Sequence, residues 1–170
     1  MKIAIPKRVS HTYTQLLNAA PEKVFPLLCP VREADWLDGW DPVSVASRSG
    51  VAERDCVFVT TAAGTEAVWY ITQHRPDVGF VEMLKITPTV TACRLEIRVS
   101  AAPKGAHAEV TYTHTSLGPE GDAFVDSFTD DAYLQFMQNW ESRLNYYLQH
   151  GTALRDASPG RRASSSRRAV

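Results

Sequence analysis

Long apolar runs are missing from this chain: no stretch approaches the ~18 consecutive apolar residues that a membrane-spanning helix needs, so no span is expected. Cysteine is scarce. Cys29, Cys56 and Cys93 cannot all pair within the chain, and none stands in a Cys-x-x-Cys spacing. That speaks against a disulfide framework and for reduced thiols in a cytoplasmic protein. Met1 to Val9 offers only Ile3-Ala4-Ile5 before Pro6, too short for the apolar core of a signal peptide. No Gly-rich phosphate loop, Gly-x-Ser-x-Gly elbow or His-Glu-x-x-His pair occurs. Covalent hydrolase chemistry is therefore unsupported. Cys29, Glu33, Glu53, Cys56 and His114 are suitable metal-ligand types, but none has ligand-like spacing, so no metal site is expected either.

A large excess of one charge is also absent, since the formal net charge is -1. The distribution is uneven. After Gly151, five arginines against Asp156 leave the tail at +4 and the body at −5. A body of that sign argues against a nucleic-acid-binding globule.

The 170 residues have a near-average globular composition and suit one domain. The expected division is an N-terminal arm over 1–9, a folded body over 10–151 and a disordered basic tail over 152–170. His11 to Leu17 is β-branched and aromatic and reads as a strand. Pro21-Glu22-Lys23 opens a short helix that Pro30 stops, and Val31 to Leu37 suits a second one ended by Gly39. Strands follow over Val43–Ser47, Cys56–Thr61, Ala67–Gln73 and Phe80–Ile86, and over Ala92–Ser100 and Ala108–Leu117. In the last two, Cys93, Leu95, Ile97 and Val99 alternate with charges, and Val110, Tyr112 and His114 share one face.

The chain is organised around Asp122 to Gln149, read as a long helix. Phe124, Phe128, Ala132, Phe136, Trp140, Leu144 and Leu148 recur every fourth residue, and Tyr133, Met137 and Tyr147 widen the stripe. Asp126, Asp130, Gln138, Glu141, Arg143 and Asn145 fall opposite. Thr129 before two aspartates looks like a second N-cap, which would split the helix after Ser127. So aromatic a face needs a large concave partner, and the upstream strands supply one. The expected fold class is α+β, a curved sheet gripping the last helix.

The order of elements, with Ala20-Pro21-Glu22-Lys23-Val24-Phe25, Tyr112-Thr113-His114-Thr115 and the Trp140 helix, resembles the helix-grip SRPBCC superfamily. That group includes START lipid-transfer domains, pollen-allergen-like hormone binders and polyketide cyclase/dehydrase proteins. Leu28-Cys29-Pro30-Val31-Arg32-Glu33, Trp36, Gly39-Trp40 and Ser49-Gly50-Val51-Ala52-Glu53 resemble a bacterial subgroup of unassigned function. The resemblance implies a six- or seven-stranded antiparallel sheet, an apolar cavity under the helix and no built-in cofactor; it carries over no catalytic residue, because members of this fold do unrelated jobs.

Phe58, Trp69, Tyr112, His114, Tyr133, Met137 and Trp140 are the candidate lining of that cavity, unless they meet and fill it. The expected ligand is small and hydrophobic: lipid-like, polyketide or aromatic. His114 is either a structural histidine or, with Tyr112 as hydrogen-bond donor, an acid/base for cyclase-type chemistry on an enolisable ketone. A third reading uses Trp36 and Trp40 with their acidic neighbours Glu33, Asp35, Asp38 and Asp41 to hold a protein partner, unless the two indoles cover the open edge of the core while the acids stay in solvent. Open strand edges are compatible with a homodimer.

Overall fold

The computed structural model describes residues 3, 5–62 and 64–155. Seven antiparallel strands form one sheet: β1 (Arg8–Leu17), β2 (Ser44–Ala46), β3 (Val57–Ala62), β4 (Thr65–Arg75), β5 (Phe80–Thr87), β6 (Thr91–Ala102) and β7 (Gly105–Ser116). Their order across the sheet is β1-β7-β6-β5-β4-β3-β2, so only one connection leaves the meander, the passage from β1 to β2. That passage holds the short helix α1 (Pro21–Val24), continued by a 3₁₀ turn over Phe25–Leu27, and a second 3₁₀ turn over Arg32–Asp35. The two short helices after the first strand, the antiparallel sheet and the long C-terminal helix stand as expected.

The terminal helix is two pieces, α2 (Pro119–Ser127) and α3 (Asp130–His150). Thr129 Oγ1 accepts from the Ala132 N–H at 3.2 Å, and Asp130 and Asp131 complement the dipole of the first turn. Gly151 closes α3 at φ +71°, its N–H bonding to the Tyr147 carbonyl. A Cβ at Gly121 would collide with the Val90 carbonyl, so glycine is what lets α2 press against the β5–β6 turn.

Cross-strand register sorts the inner face into rows. One runs Val9–His114–Cys93–Lys85–Trp69–Phe58–Val45 across all seven strands. The next runs His11–Tyr112–Leu95–Met83–Ile71, beyond which a bulge near Thr72 interrupts β4. Two further rows, Tyr13–Val110–Ile97–Val81 and Gln15–Ala108–Val99, lie toward the other end.

α3 closes over that last end. Tyr133, Met137, Trp140 and Leu144 are its buried apolar residues, spaced four, three and four. Tyr133 Oη donates to the Val110 carbonyl at 2.6 Å, and Gln15 Nε2 donates to the Met137 carbonyl at 3.4 Å. Along the edge of β1, Glu141 accepts from Tyr13 Oη and from the Leu16 N–H, while Asn145 donates to the Leu16 carbonyl. Helix side chains thus occupy the outward backbone groups of Leu16, so this part of the edge is not free for a second chain.

Several expectations need correction. The every-fourth stripe is buried only in part: Trp140 and Leu144 are buried with Tyr133 and Met137 beside them, whereas Phe136 is 43% exposed and Ala132 is exposed, because a four-residue step drifts off a helix of ~3.6 residues per turn. Arg143, placed on the wet side, is buried and donates to Asn139 Oδ1 and to the Leu154 carbonyl. The boundary drawn after residue 9 falls inside β1, where Arg8 and Val9 already pair with Thr115 and His114. The tail begins docked rather than loose, since Leu154 bridges in parallel to Leu37. From Asp156 onward it lies outside the described residues.

Candidate functional site

Where α3 leaves the first two rows uncovered, the interior does not close. A cavity of about 330 Å³ remains between the inner face and the helices. Its floor is Phe58, Trp69, Met83, Lys85 and Leu95, with Tyr112 and His114 rising on β7. The roof is Phe124 and Phe128 from α2 and the break after it, with Phe136 and Trp140 from α3. Pro30, Glu33, Leu37 and Trp40 form the remaining wall. These four follow a three, four, three spacing, so the helical segment after β1 offers one face to the space.

Register explains the floor. Phe58 and Trp69 are cross-strand partners whose rings stack at 5.2 Å and 11°, and Trp69 Nε1 is anchored to Thr60 Oγ1 at 2.9 Å. Lys85 is the next residue in the same row, and its Nζ lies 4.9 Å from the centroid of a Trp69 ring. Among the described residues no carboxylate pairs with it. Burial pulls its pKa below the ordinary lysine value, an effect the neighbouring Cys93 thiol partly offsets. The thiol itself is pushed up to about 12 by burial and stays protonated.

His114 sits in a box of rings: Phe128 at 4.7 Å, Phe124 at 4.8 Å and Tyr112 at 5.9 Å between centroids. Its Nδ1 is buried without a hydrogen-bond partner among the described residues. Burial, with Lys85 and His11 adding, lowers its pKa to about 4, so the ring is neutral at neutral pH. Tyr112 is held well above the ordinary phenol value, first by burial and then by Cys93 and Glu33.

Glu33 is the residue that reading the sequence set among solvated acids. It is half-buried in the cavity wall, its carboxyl makes no hydrogen bond or ion pair among the described residues, and burial pushes its pKa up to about 8. Most of it is protonated at pH 7. Its spacing from Pro30, Leu37 and Trp40 was the signal for it. For Lys85 the signal was the alternation Val81, Met83, Lys85 on β5.

Five of the seven expected lining residues therefore surround one space: Phe58, Trp69, Tyr112, His114 and Trp140. Tyr133 and Met137 do not. They pack in the closed end, where Tyr133 spends its hydroxyl on Val110 and Met137 is fully buried. The partner-facing role of Trp36 is corrected too: its indole is wholly buried, donates to the Leu27 carbonyl and packs 5.3 Å from Trp140. Trp40 turns its N–H inward to the Pro30 carbonyl. Among the described residues no cluster of three or more His, Cys, Asp or Glu is placed to hold a metal, and no helix is long and apolar enough to cross a membrane.

Solved structures share this architecture. An uncharacterized protein from Rhizobium leguminosarum superposes with a TM-score of 0.62 at 14% identity, over 87% of this chain and 99% of that one. The fold is a helix-grip fold. Ara h 8.0201 matches it with a TM-score of 0.57 at 13% identity, over 84% of this chain and 99% of its own. Norcoclaurine synthase from Thalictrum flavum, solved with dopamine and hydroxybenzaldehyde, matches with a TM-score of 0.58 at 15% identity, over 86% and 88% of the two chains. At these identities the helix-grip likeness is one of fold. No family model matches the chain, and no curated protein matches it by sequence.

Proposed function

We propose that this helix-grip protein binds a small, hydrophobic, ring-bearing molecule in the space beneath α2 and α3. One observation carries the reading: about 330 Å³ stays open between the sheet and the helices, walled by stacked and tilted aromatic rings. Ligand cavities are typically of this size upward, largely apolar, with a few polar groups that orient the guest. Glu33, Lys85, Tyr112 and His114 are those groups here. The similarly folded norcoclaurine synthase, solved with two ring compounds, supports a ring-bearing guest. In a titration calorimeter, 2-naphthalenemethanol binds the purified protein with a Kd below about 1 mM, the affinity of a weak but specific small ligand. Failure of it and of similar neutral ring compounds to bind at that level would remove the reading.

A second reading, acid–base chemistry of the polyketide cyclase/dehydrase kind, draws on the Glu33 carboxyl. A proton carrier works best with a pKa near the working pH; Glu33 at about 8 meets that condition and His114 at about 4 does not. In this scheme Glu33 shuttles the proton of a bound enolisable ketone, Tyr112 donates to its oxygen, and His114 shapes the pocket. Deuterium uptake at the α-carbon of 2-tetralone in D₂O tests it. Glu33→Gln loses the protein-dependent exchange while His114→Asn keeps it. The opposite pattern would restore His114 to the role.

A further inference from the structure

The cavity holds one ammonium and, at neutral pH, no settled anion. Lys85 reaches into it from the floor, and among the described residues no Asp or Glu comes within ion-pair distance. It also lines an adjoining space of about 300 Å³, which opens past Thr60 and Thr65 toward Glu120 on α2. His114 and Phe124 line both spaces, so these three residues stand where one space meets the other. Glu120 is an exposed residue of the outer space and forms no ion pair with Lys85. Among the described residues the contact that faces the ammonium is the ring of Trp69.

A partly desolvated ammonium without a counter-ion is costly, and the fold leaves it where two open volumes share a wall. The charge on the opposite wall does not compensate for it, because the Glu33 carboxyl is largely uncharged and is not paired with Lys85. His114 is a neutral ring and Cys93 a protonated thiol. The interior is therefore electropositive at a single point beside a stacked aromatic floor.

We propose that Lys85 is an anion anchor, and that the guest is an aromatic or polycyclic carboxylate. Its carboxylate pairs with the Lys85 ammonium at the junction of the two spaces, and its rings lie over Phe58 and Trp69. This rests on the reading that the cavity binds a ligand, and adds the charge of that ligand and the residue that selects it. A carboxylate supplies the counter-charge that the chain withholds, with a charge-assisted hydrogen bond in a water-poor setting. A cationic guest meets repulsion from the same group.

Calorimetric titration with three molecules of one shape tests it: 2-naphthoate, 2-naphthalenemethanol and 2-naphthylmethylammonium. The wild-type protein binds the carboxylate about tenfold or more tightly than the alcohol, and the ammonium most weakly. Lys85→Met removes that preference, so that carboxylate and alcohol bind the variant within about threefold of each other, while Lys85→Arg retains it. A cooperative thermal unfolding transition shows that the Lys85→Met protein is folded. Equal affinity of the wild type for carboxylate and alcohol, or a preference that survives in Lys85→Met, overturns the anchor while the ligand-binding reading stands. Binding of none of the three overturns both.

Discussion

The two ends of the inner face are built from one sheet under one run of helix, yet one is solid and the other hollow. At the solid end the sheet offers Ala106, Ala108, Val110 and Val99, small residues that let α3 settle on the strands. Tyr133, Met137 and Leu144 fill what is left, and polar links to Val110 and Gln15 fix the distance. At the hollow end the sheet offers Phe58, Trp69, Lys85, Tyr112 and His114, and the roof is Phe124, Phe128, Phe136 and Trp140. Large rings on both sides touch at their rims and hold the layers apart. Small side chains allow close packing, whereas rings of fixed shape bridge a gap and leave space. Each end holds one buried side-chain atom without a partner among the described residues, His114 Nδ1 in the hollow end and Gln15 Oε1 in the solid one. Close packing and open space are thus assigned to different rows of one sheet.

The sharpest break in this contrast comes from truncation. Leu144→Ala, in the solid end, costs about 2–5 kcal/mol by chemical denaturation. Leu95→Ala enlarges a space that already exists and costs under ~2 kcal/mol. Equal costs would mean that the two ends are packed alike.

A pH series on Glu33→Gln sharpens the comparison further. Glu33 has a folded pKa near 8 against an ordinary value of 4.5, so the folded protein retains a proton that the unfolded chain releases. Its contribution is fully present below 4.5 and is lost as pH rises through about 8. His114 runs the other way, its contribution being present above the ordinary 6.5 and lost as pH falls through about 4. The two oppose each other in mild acid, and the Glu33 slope stands clear above pH ~6.5. Glu33→Gln is expected to match the wild type near pH 5 and to exceed it at pH 8.5, on the order of 1–3 kcal/mol. Parallel curves for the two proteins would mean that the carboxyl is as well solvated as in the unfolded chain.

The smallest effect belongs to a single polar link of the solid end. Tyr133→Phe removes the 2.6 Å bond to the Val110 carbonyl and costs about 1 kcal/mol, with ligand affinity unchanged. A large loss of affinity would return Tyr133 to the cavity lining from which the structure excludes it.

Much of this was legible in the sequence because alternation is local. The charges between Cys93, Leu95, Ile97 and Val99 declare both faces of β6, and Thr129 with Asp130 and Asp131 declares the start of α3. The helix face was read less well. A period of four looks regular along the sequence but turns about 40° per step on a helix, and the break at Phe128 resets the phase between α2 and α3. For Trp36 and Trp40 the acidic neighbours left a partner-facing role open beside a core-covering one; the packing, with both N–H groups turned inward, favours the second. Lys85 and Glu33 were missed because charge normally marks the solvent side. Their spacing placed them inside, where a cavity, unlike a filled core, tolerates them.

The central claim is that the space beneath the helices is a binding cavity, and Leu95→Trp tests it most directly. The larger side chain grows from the cavity floor into the volume itself. Titration of 2-naphthalenemethanol into both proteins, with Tm measured alongside, is expected to show binding to the wild type. Binding is lost in the variant, whose Tm is unchanged or raised. Undiminished binding to a folded Leu95→Trp protein would contradict the account.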